Sequence, residues 1–409
     1  MTRHSAHAVS ASVISGGAAM SIFPTEGRVR LSEATYPYGT ATVTVPRPAS
    51  EADLERLNPR SGGVRLVLDV RESVGDPVRV SEITADHGGS MAALTAAFAG
   101  RVADVTAAYF TPWNTETVHG SAARLNLALV ARQVDHLAAT VQLTAYTDEA
   151  TAVMYRLLST TPETSGSLSV RDTVNFALRK IGAALLPGPV DAPIAEPAAI
   201  IWQPGVSAWD YMRGVAEAAG LVVRCDPRRR WTLTRRDETR PETVVLDRAT
   251  RVVEHVDVDT VQTADAVVVR YDWTDPDTGD RRTRFDIASS GETARVVKRI
   301  DRSTPYPGPG AARYWLQRLI GRGRSFDVDQ VTDYAMRPGA AFTAAFPATP
   351  TQLGRIEAVE WDLAAATMTI TTTGVADAAD GAIDLYPPGV MINDLVGMIA
   401  DQHPTLEEQ

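Results

Sequence analysis

Alternation with a period of two is the feature that most restricts this chain. Thr40 to Val45 reads TATVTV and Val64 to Val70 reads VRLVLDV, and Arg101 to Tyr109 (RVADVTAAY) and Ala138 to Tyr146 (AATVQLTAY) continue the pattern. Successive side chains of a strand point to opposite faces, so runs like these bury one face and leave the other wet. Turn-forming clusters separate them: Asn58-Pro59-Arg60-Ser61-Gly62-Gly63, Gly75-Asp76-Pro77 and His87-Gly88-Gly89-Ser90. Short strands punctuated in this way predict a closed barrel or sandwich from about Ile22 to Tyr146.

The period then changes to that of a helix. Thr147, Asp148 and Glu149 place a cap and two acids ahead of Val153, Met154, Leu157 and Leu158, the spacing of one helix face. Ser169 with Asp172 makes a capping box before Val170, Val174, Ala177, Leu178, Ile181 and Leu185. A Pro-rich connector, Pro187 to Pro204, leads to a second box, Ser207 with Asp210, and a helix stopped by Gly220. Two strands, Leu221 to Arg224 and Arg230 to Thr234, follow around the turn Asp226-Pro227. Strand character returns near Val244. Ala266 to Trp273 and Arg282 to Ile287 flank a turn-rich heptapeptide, a hairpin signal, and Trp315, Leu316, Leu319 and Ile320 mark one intervening helix. Val359, Trp361 and Leu363 then pair with Met368, Ile370 and Thr372 in a last hairpin.

The expected fold is therefore α+β: two antiparallel β-barrel domains flanking a small α/β domain, with an extended C-terminal tail. The expected boundaries are an N-terminal arm over 1–21, a first barrel over 22–146, the α/β domain over 147–240, a second barrel with one helix over 241–375, and the tail over 376–409. The chain has 409 residues, and at about 150 residues per domain that length accommodates two or three domains.

Composition excludes several classes. Forty basic against fifty acidic residues give a net charge of −10, which disfavours nucleic-acid binding driven by counterion release. Only Lys180 and Lys298 are lysines, an arginine bias that suggests a GC-rich coding genome. No run approaches the roughly 18 apolar residues of a membrane span. Ser and Gly interrupt Ala8 to Ala19, a poor signal-peptide core, so a non-secreted product is expected, whether translation starts at Met1 or Met20. The single cysteine, Cys225, allows neither an internal disulfide nor a Cys-rich zinc site.

Candidate chemistry is sparse. Gly88-Gly89-Ser90-Met91-Ala92 approximates a nucleophile elbow, but Ala92 replaces the last glycine and the surrounding pattern is antiparallel, so it reads as a turn. The seven histidines contain no H-E-x-x-H pair. Asp275, Asp277 and Asp280 resemble the start of a calcium loop without its closing glutamate. Asp257 and Asp259 would share a strand face about 7 Å apart, a separation glycosidases use; with fifty acidic residues such pairs arise by coincidence. Arg228-Arg229-Arg230 reads as a solvated hairpin tip, with an interface to an acidic neighbour as the alternative. No catalytic, metal-ligating or cofactor-binding residue is assigned, and no cofactor is expected.

Three stretches carry a resemblance to a known family. Gly100 to Val105 after Phe98 looks like an "F-x-G-x-V" strand; Ser207 to Val223 with Asp226 and Leu233 looks like "A-x-x-x-G-L-x-x-x-x-D-x-x-x-x-L"; Arg337-Pro338-Gly339 with Leu353 to Ile356 and Val359 to Trp361 looks like closing strands of a second barrel. In this order they resemble the tail hub family of long-tailed bacteriophages, with its baseplate-hub or late-control-D-like fold, over roughly residues 25 to 375.

The resemblance implies a structural virion protein at the tail tip or baseplate, made in the host cytoplasm. It implies a homotrimer whose six barrels match a sixfold tail tube, closing its distal end. Implied neighbours are the tail tube or distal tail protein ring, tail fibre, spike or other tip proteins, and the tape-measure protein. DNA would pass through the lumen without sequence-specific binding, and no membrane is involved. Exposed strand edges and Thr- and Arg-rich faces are the expected subunit interface, with Thr40, Thr42, Thr44, Arg270, Asp272, Arg282 and Arg284 as candidates. A tip hydrolase cutting cell wall and a host-receptor-binding module are the alternative readings.

Overall fold

The computed structural model describes residues 4–75, 84–85, 87–98, 121–235, 240–246, 249–256, 264–275, 278–291, 296–319, 324–344 and 352–377. The hairpin β1 (His4–Ser15) and β2 (Ala18–Ile22) opens the chain. It is followed by β3 (Glu26–Ser32), β4 (Gly39–Pro46), the short helix α1 (Glu51–Arg56), β5 (Arg65–Gly75), α2 (Met91–Ala97), β6 (Ala122–Asp135) and β7 (Thr140–Tyr146). The middle holds α3 (Glu149–Met154), β8 (Glu163–Thr164), α4 (Val170–Lys180), β9 (Ile201–Trp202), α5 (Ala208–Ala218), β10 (Leu221–Cys225) and β11 (Trp231–Arg235). Then come β12 (Arg240–Val245), β13 (Ala249–Val256), β14 (Ala266–Thr274), β15 (Arg281–Ser289), β16 (Val297–Arg302) and α6 (Ala311–Leu319). The last strands are β17 (Arg324–Val331), β18 (Ala340–Ala344), β19 (Gln352–Asp362) and β20 (Thr367–Asp377).

Antiparallel β structure dominates, as the alternation predicts, but the strands are shared out differently. One 13-stranded sheet runs β13-β17-β20-β19-β3-β4-β7-β6-β5-β1-β2, with β18 also on β19 and β12 beside β18 in parallel. Strands from both ends of the chain meet at β3 and β19, where Val29 lies opposite Trp361 and Leu31 opposite Val359. The two β regions expected as separate barrels are thus joined edge to edge. Among the described residues no sheet closes on itself. Curvature comes from β6, which pairs with β5 over its first half and with β7 over its second, with a bulge between Leu129 and Ala131.

One apolar core fills the concave side of this sheet, drawing on Val13, Val43, Leu66, Leu127 and Leu143 from the first half and Val328, Phe342, Trp361 and Ile370 from the second. In β4 the alternation resolves as read: Ala41, Val43 and Val45 are buried and Thr40, Thr42 and Thr44 half-buried on the other face. Each valine so buried contributes about 1.5–3 kcal/mol, and the alanine less. The N-terminal segment departs from expectation. Instead of an arm, His4–Ser15 pairs along nearly all of β5, and Ala11, Val13 and Ile22 enter the core. Of the expected tail, β20 takes the first residues, to Asp377. The rest, together with the Gly100–Val105 strand of the resemblance and the Asp257/Asp259 pair, lies outside the described residues.

A second core lies within the middle segment. Ser169 and Ser207 accept hydrogen bonds from the backbone N–H of Asp172 and Asp210, so both boxes start helices where the spacing placed them. α4 buries Val170, Val174, Ala177 and Leu178; α5 buries Trp209, Met212 and Ala216. Trp202 stacks on Tyr211 with ring centroids 5.0 Å apart. α3 is shorter than its apolar spacing suggested: it ends at Met154, and of the next two leucines Leu157 enters this core while Leu158 is exposed.

A third core corrects the expected second barrel. β15-β14-β16 form a separate three-stranded sheet, in which Val267, Val269, Tyr271 and Trp273 pack under Leu316 and Leu319 of α6. The predicted hairpin is present, with Ala266 opposite Ser289 and Thr274 opposite Arg281. Asp286 of β15 accepts from the N–H groups of Gly310 and Ala312 and so caps α6.

The second and third cores touch at two glycines. Gly220 ends α5 with φ +76°, and Gly310 precedes α6 with φ +142°. A Cβ at Gly310 would lie 2.5 Å from the Ala219 carbonyl carbon, so backbone meets backbone there. Gly310→Ala is expected to lower stability by roughly 2 kcal/mol or more through this clash and its positive φ, read as a lower urea midpoint at unchanged m-value.

Candidate functional site

The three cores are tied together by buried charge. Glu33 follows β3, Arg224 stands on β10 and Arg355 on β19. The Glu33 carboxylate lies 2.7 Å from Arg224 Nη2 and 2.6 Å from Arg355 Nη2, with its own side chain 3% exposed. The Arg224 guanidinium also sits 4.8 Å from the centroid of the Tyr38 ring. A second tie runs through Asp148, with Arg65 of β5 at 2.7 Å and Arg229 at 2.8 Å. From the third core, Arg318 of α6 donates to the Ala34 carbonyl at 2.5 Å, and Tyr314 Oη donates to Glu217 of α5 at 2.9 Å. Arg355 meets Glu33 within the large sheet, whereas Arg224, Arg229, Arg318 and Tyr314 each reach across a core boundary.

Glu149 is the most perturbed member. It begins α3, yet its carboxylate points inward, accepting from the backbone N–H of Cys225 at 2.9 Å and from that of Tyr38. Burial pushes its pKa up to about 7, and those two N–H donors, Arg224 and Thr147 only partly oppose the shift. The Cys225 thiol beside it is buried, and desolvation raises its pKa as well, so it is not poised as a nucleophile. The Ser90 side chain accepts from Ala93 N–H as the N-cap of α2, which accounts for the elbow-like sequence. Among the described residues no group of three or more His, Cys, Asp or Glu could hold a metal ion, and no helix is long and apolar enough to cross a membrane.

The interface candidates fall in two places. Thr40, Thr42 and Thr44 lie on β4, which is paired on both sides, so they form a face and not an edge. Across that outer face Thr42 stands opposite Arg28 and Thr40 opposite Arg30, and Arg30 in turn opposite Glu360. Arg270, Asp272, Arg282 and Arg284 share the β14–β15 hairpin but divide between its faces, with Arg270 and Asp272 outward. Asp272 holds Arg270 at 2.9 Å and also pairs with Arg281, while Arg282 meets Asp275 at 2.5 Å. Among the described residues β15 pairs with β14 alone, which leaves its other edge without a strand partner there. On the outward face Phe285 and Ile287 are 56% and 67% exposed, with Val297 of β16 at 56%. Residue-level reading selected this hairpin for its charge and passed over the apolar residues beside it. Period two from Arg281 would have put Phe285 and Ile287 on one face.

No family model and no curated protein matches the chain by sequence. Solved structures do. A tail protein from Neisseria meningitidis MC58 superposes with a TM-score of 0.52 at 10% identity, covering 89% of this chain and 96% of that one. The prophage tail protein gp18 from Listeria monocytogenes EGD-e gives a TM-score of 0.50 at 9% identity, covering 91% and 97%. The fold is that of phage tail proteins. The likeness extends over nearly the whole of both chains.

Two outcomes test the junction. Arg224→Met removes the cation that pairs with Glu33 and acts on Glu149, and is expected to cost about 3–5 kcal/mol in chemical denaturation. Glu149 has a raised folded pKa, so its stabilising contribution is complete below about 4.5, its ordinary value, and is lost as pH rises through about 7. Stability should therefore fall across that window by an amount on the order of 3 kcal/mol. Glu149→Gln should flatten this slope, measured as unfolding free energy against pH, whatever its effect on absolute stability.

Proposed function

We propose that this chain is a structural component of a bacteriophage tail: the hub that closes the distal end of the tail tube and links it to tip proteins. The observation that carries the reading is whole-length likeness of fold to tail proteins in a chain whose strongly perturbed groups serve packing. Three copies assemble around the tube axis. The N-terminal and C-terminal parts of the large sheet act as two similar β modules per chain, giving six units to meet a sixfold tube. The ring above is the tube or distal tail protein, and fibre or spike proteins attach below. The tape-measure protein ends against the hub, and DNA passes through its lumen, which the net charge of −10 favours by repulsion. The product resides in the virion at the tail tip.

Within that assembly the open edge of β15 and its outward face form a subunit contact. Phe285, Ile287 and Val297 supply apolar area, and Arg270, Asp272 and Arg281 supply a charged rim, the usual distribution at a protein interface, with Arg284 on the other face of the same edge strand. The polar face carrying Thr40, Thr42 and Thr44 serves as a second contact. An uncovered strand edge beside two large exposed hydrophobics is otherwise a site of uncontrolled association.

Purified protein should sediment as a trimer at micromolar concentration. Phe285→Asp combined with Ile287→Asp should shift it to monomer while leaving the circular dichroism spectrum unchanged. A monomeric wild-type protein that clears cell-wall substrate in a zymogram would overturn the proposal in favour of a tip hydrolase.

A further inference from the structure

The triple-arginine tip does more than turn a hairpin. β10 and β11 carry it to the large sheet, where the Pro227 carbonyl accepts from Asn126 N–H on the part of β6 that β7 leaves unpaired. Only Arg229 is spent on the junction, paired with Asp148. Its neighbours Arg228 and Arg230 instead line a polar cleft of about 350 Å³, which Arg124 of β6 and Arg337 also line. A second hollow, of about 510 Å³, continues past Arg124 and Arg228 to Arg71 on β5.

Charge in this trough does not balance. Among the described residues that line it, leaving Arg337 aside, Arg71, Arg124, Arg228 and Arg230 face the carboxylates of Asp69 and Asp226. Asp226 is committed to Arg230 at 2.7 Å, and Asp69 lies 3.6 Å from Arg124 with both side chains largely exposed. Arg228 is exposed and has no ion pair among the described residues. Trp361, which also lines the cleft, is fully buried, and its indole N–H has no hydrogen-bond acceptor among the described residues. Arg337 lies over that ring at 5.2 Å, held by the carbonyls of Tyr334 and Met336. Bidentate acceptors are the natural guests of converging guanidiniums.

The sequence supplies such a guest. Residues 378–409 carry Asp380, Asp384, Asp394, Asp401, Glu407 and Glu408, and contain no lysine or arginine. Apolar residues such as Ile383, Leu385 and Tyr386 are interleaved with them. The geometry points to the arginine cleft as a docking site for this acidic C-terminal segment, from the same copy or an adjoining one. Reach is sufficient. The described chain ends at Asp377, opposite Gln352, and Trp361 lies nine residues further along β19, which is about 30 Å. Thirty-two further residues, extended, span about 100 Å.

The test uses the full chain with a photo-crosslinking phenylalanine derivative in place of Tyr386 and, separately, of Leu406. Irradiation should give crosslinks that mass spectrometry maps to the segments around Arg228 and Arg337. Arg124→Glu with Arg228→Glu should lower their yield about tenfold, as should high salt. Mixing isotopically light and heavy chains assigns the crosslink to one copy or two, and both results support docking. Crosslinks that map elsewhere, or that survive the charge reversals, would overturn it. So would an oligonucleotide that binds the same arginines while the crosslink pattern stays unchanged, since the cleft would then be a phosphate site.

Discussion

The pairing of β3 with β19 is the constraint on which the rest of the structure depends. Ten residues, 28–32 and 358–362, join strands from near the two ends of the described chain. Because Val29 and Leu31 face the same core as Val359 and Trp361, a slip of one residue would turn the apolar pair of the slipping strand toward solvent. The seam therefore sets register for both halves of the sheet. It also places Glu33, just beyond β3, within reach of Arg355 on β19, so the ion pair inherits its geometry from the strand pairing.

Buried charge then orients what the sheet cannot. The middle segment and the three-stranded sheet have cores of their own, and apolar surface alone would let them rotate against the large sheet at little cost. Glu33, Asp148 and Glu149 remove that freedom for the middle segment, because a carboxylate out of water is tolerable only where its particular donors converge, and Arg318 and Tyr314 tie the three-stranded unit. Desolvation makes such a junction a poor source of net stability but a strict one for orientation. The two facing glycines at the α5–α6 contact act in the same sense by sterics, bringing backbones closer than any side chain would permit.

Much of the local structure was legible in the sequence. The boxes at Ser169 and Ser207, the hairpin from Ala266 to Ser289 and the one from Val359 onward all rest on signals within about ten residues, and the chain adopts them. What was not legible depends on contacts between distant residues. Glu33 and Arg355 are 322 positions apart, and nothing near either announces the other. Glu149 reads as an ordinary acid in a first helical turn, and only the approach of Tyr38 and Cys225 turns it inward. The N-terminal hairpin was missed because its alternation, in HAVSASVIS, is of small residues and is followed directly by two glycines. The joining of two β regions into one open sheet is a choice of strand partner, and periodicity carries no information about partners.

The seam also imposes an order of events on a chain emerging from the ribosome. The middle segment is continuous in sequence, with its core drawn from residues 152–233, so it can close soon after synthesis of its last strand. The large sheet cannot. Its first strands must wait, apolar faces uncovered, until the residues of β19 have been made some 330 positions later. Closing so long a loop is slow and leaves sticky intermediates. Vectorial synthesis thus gives this polypeptide a finished interior before its largest layer is complete, and its vulnerability to aggregation is concentrated in the interval between the two.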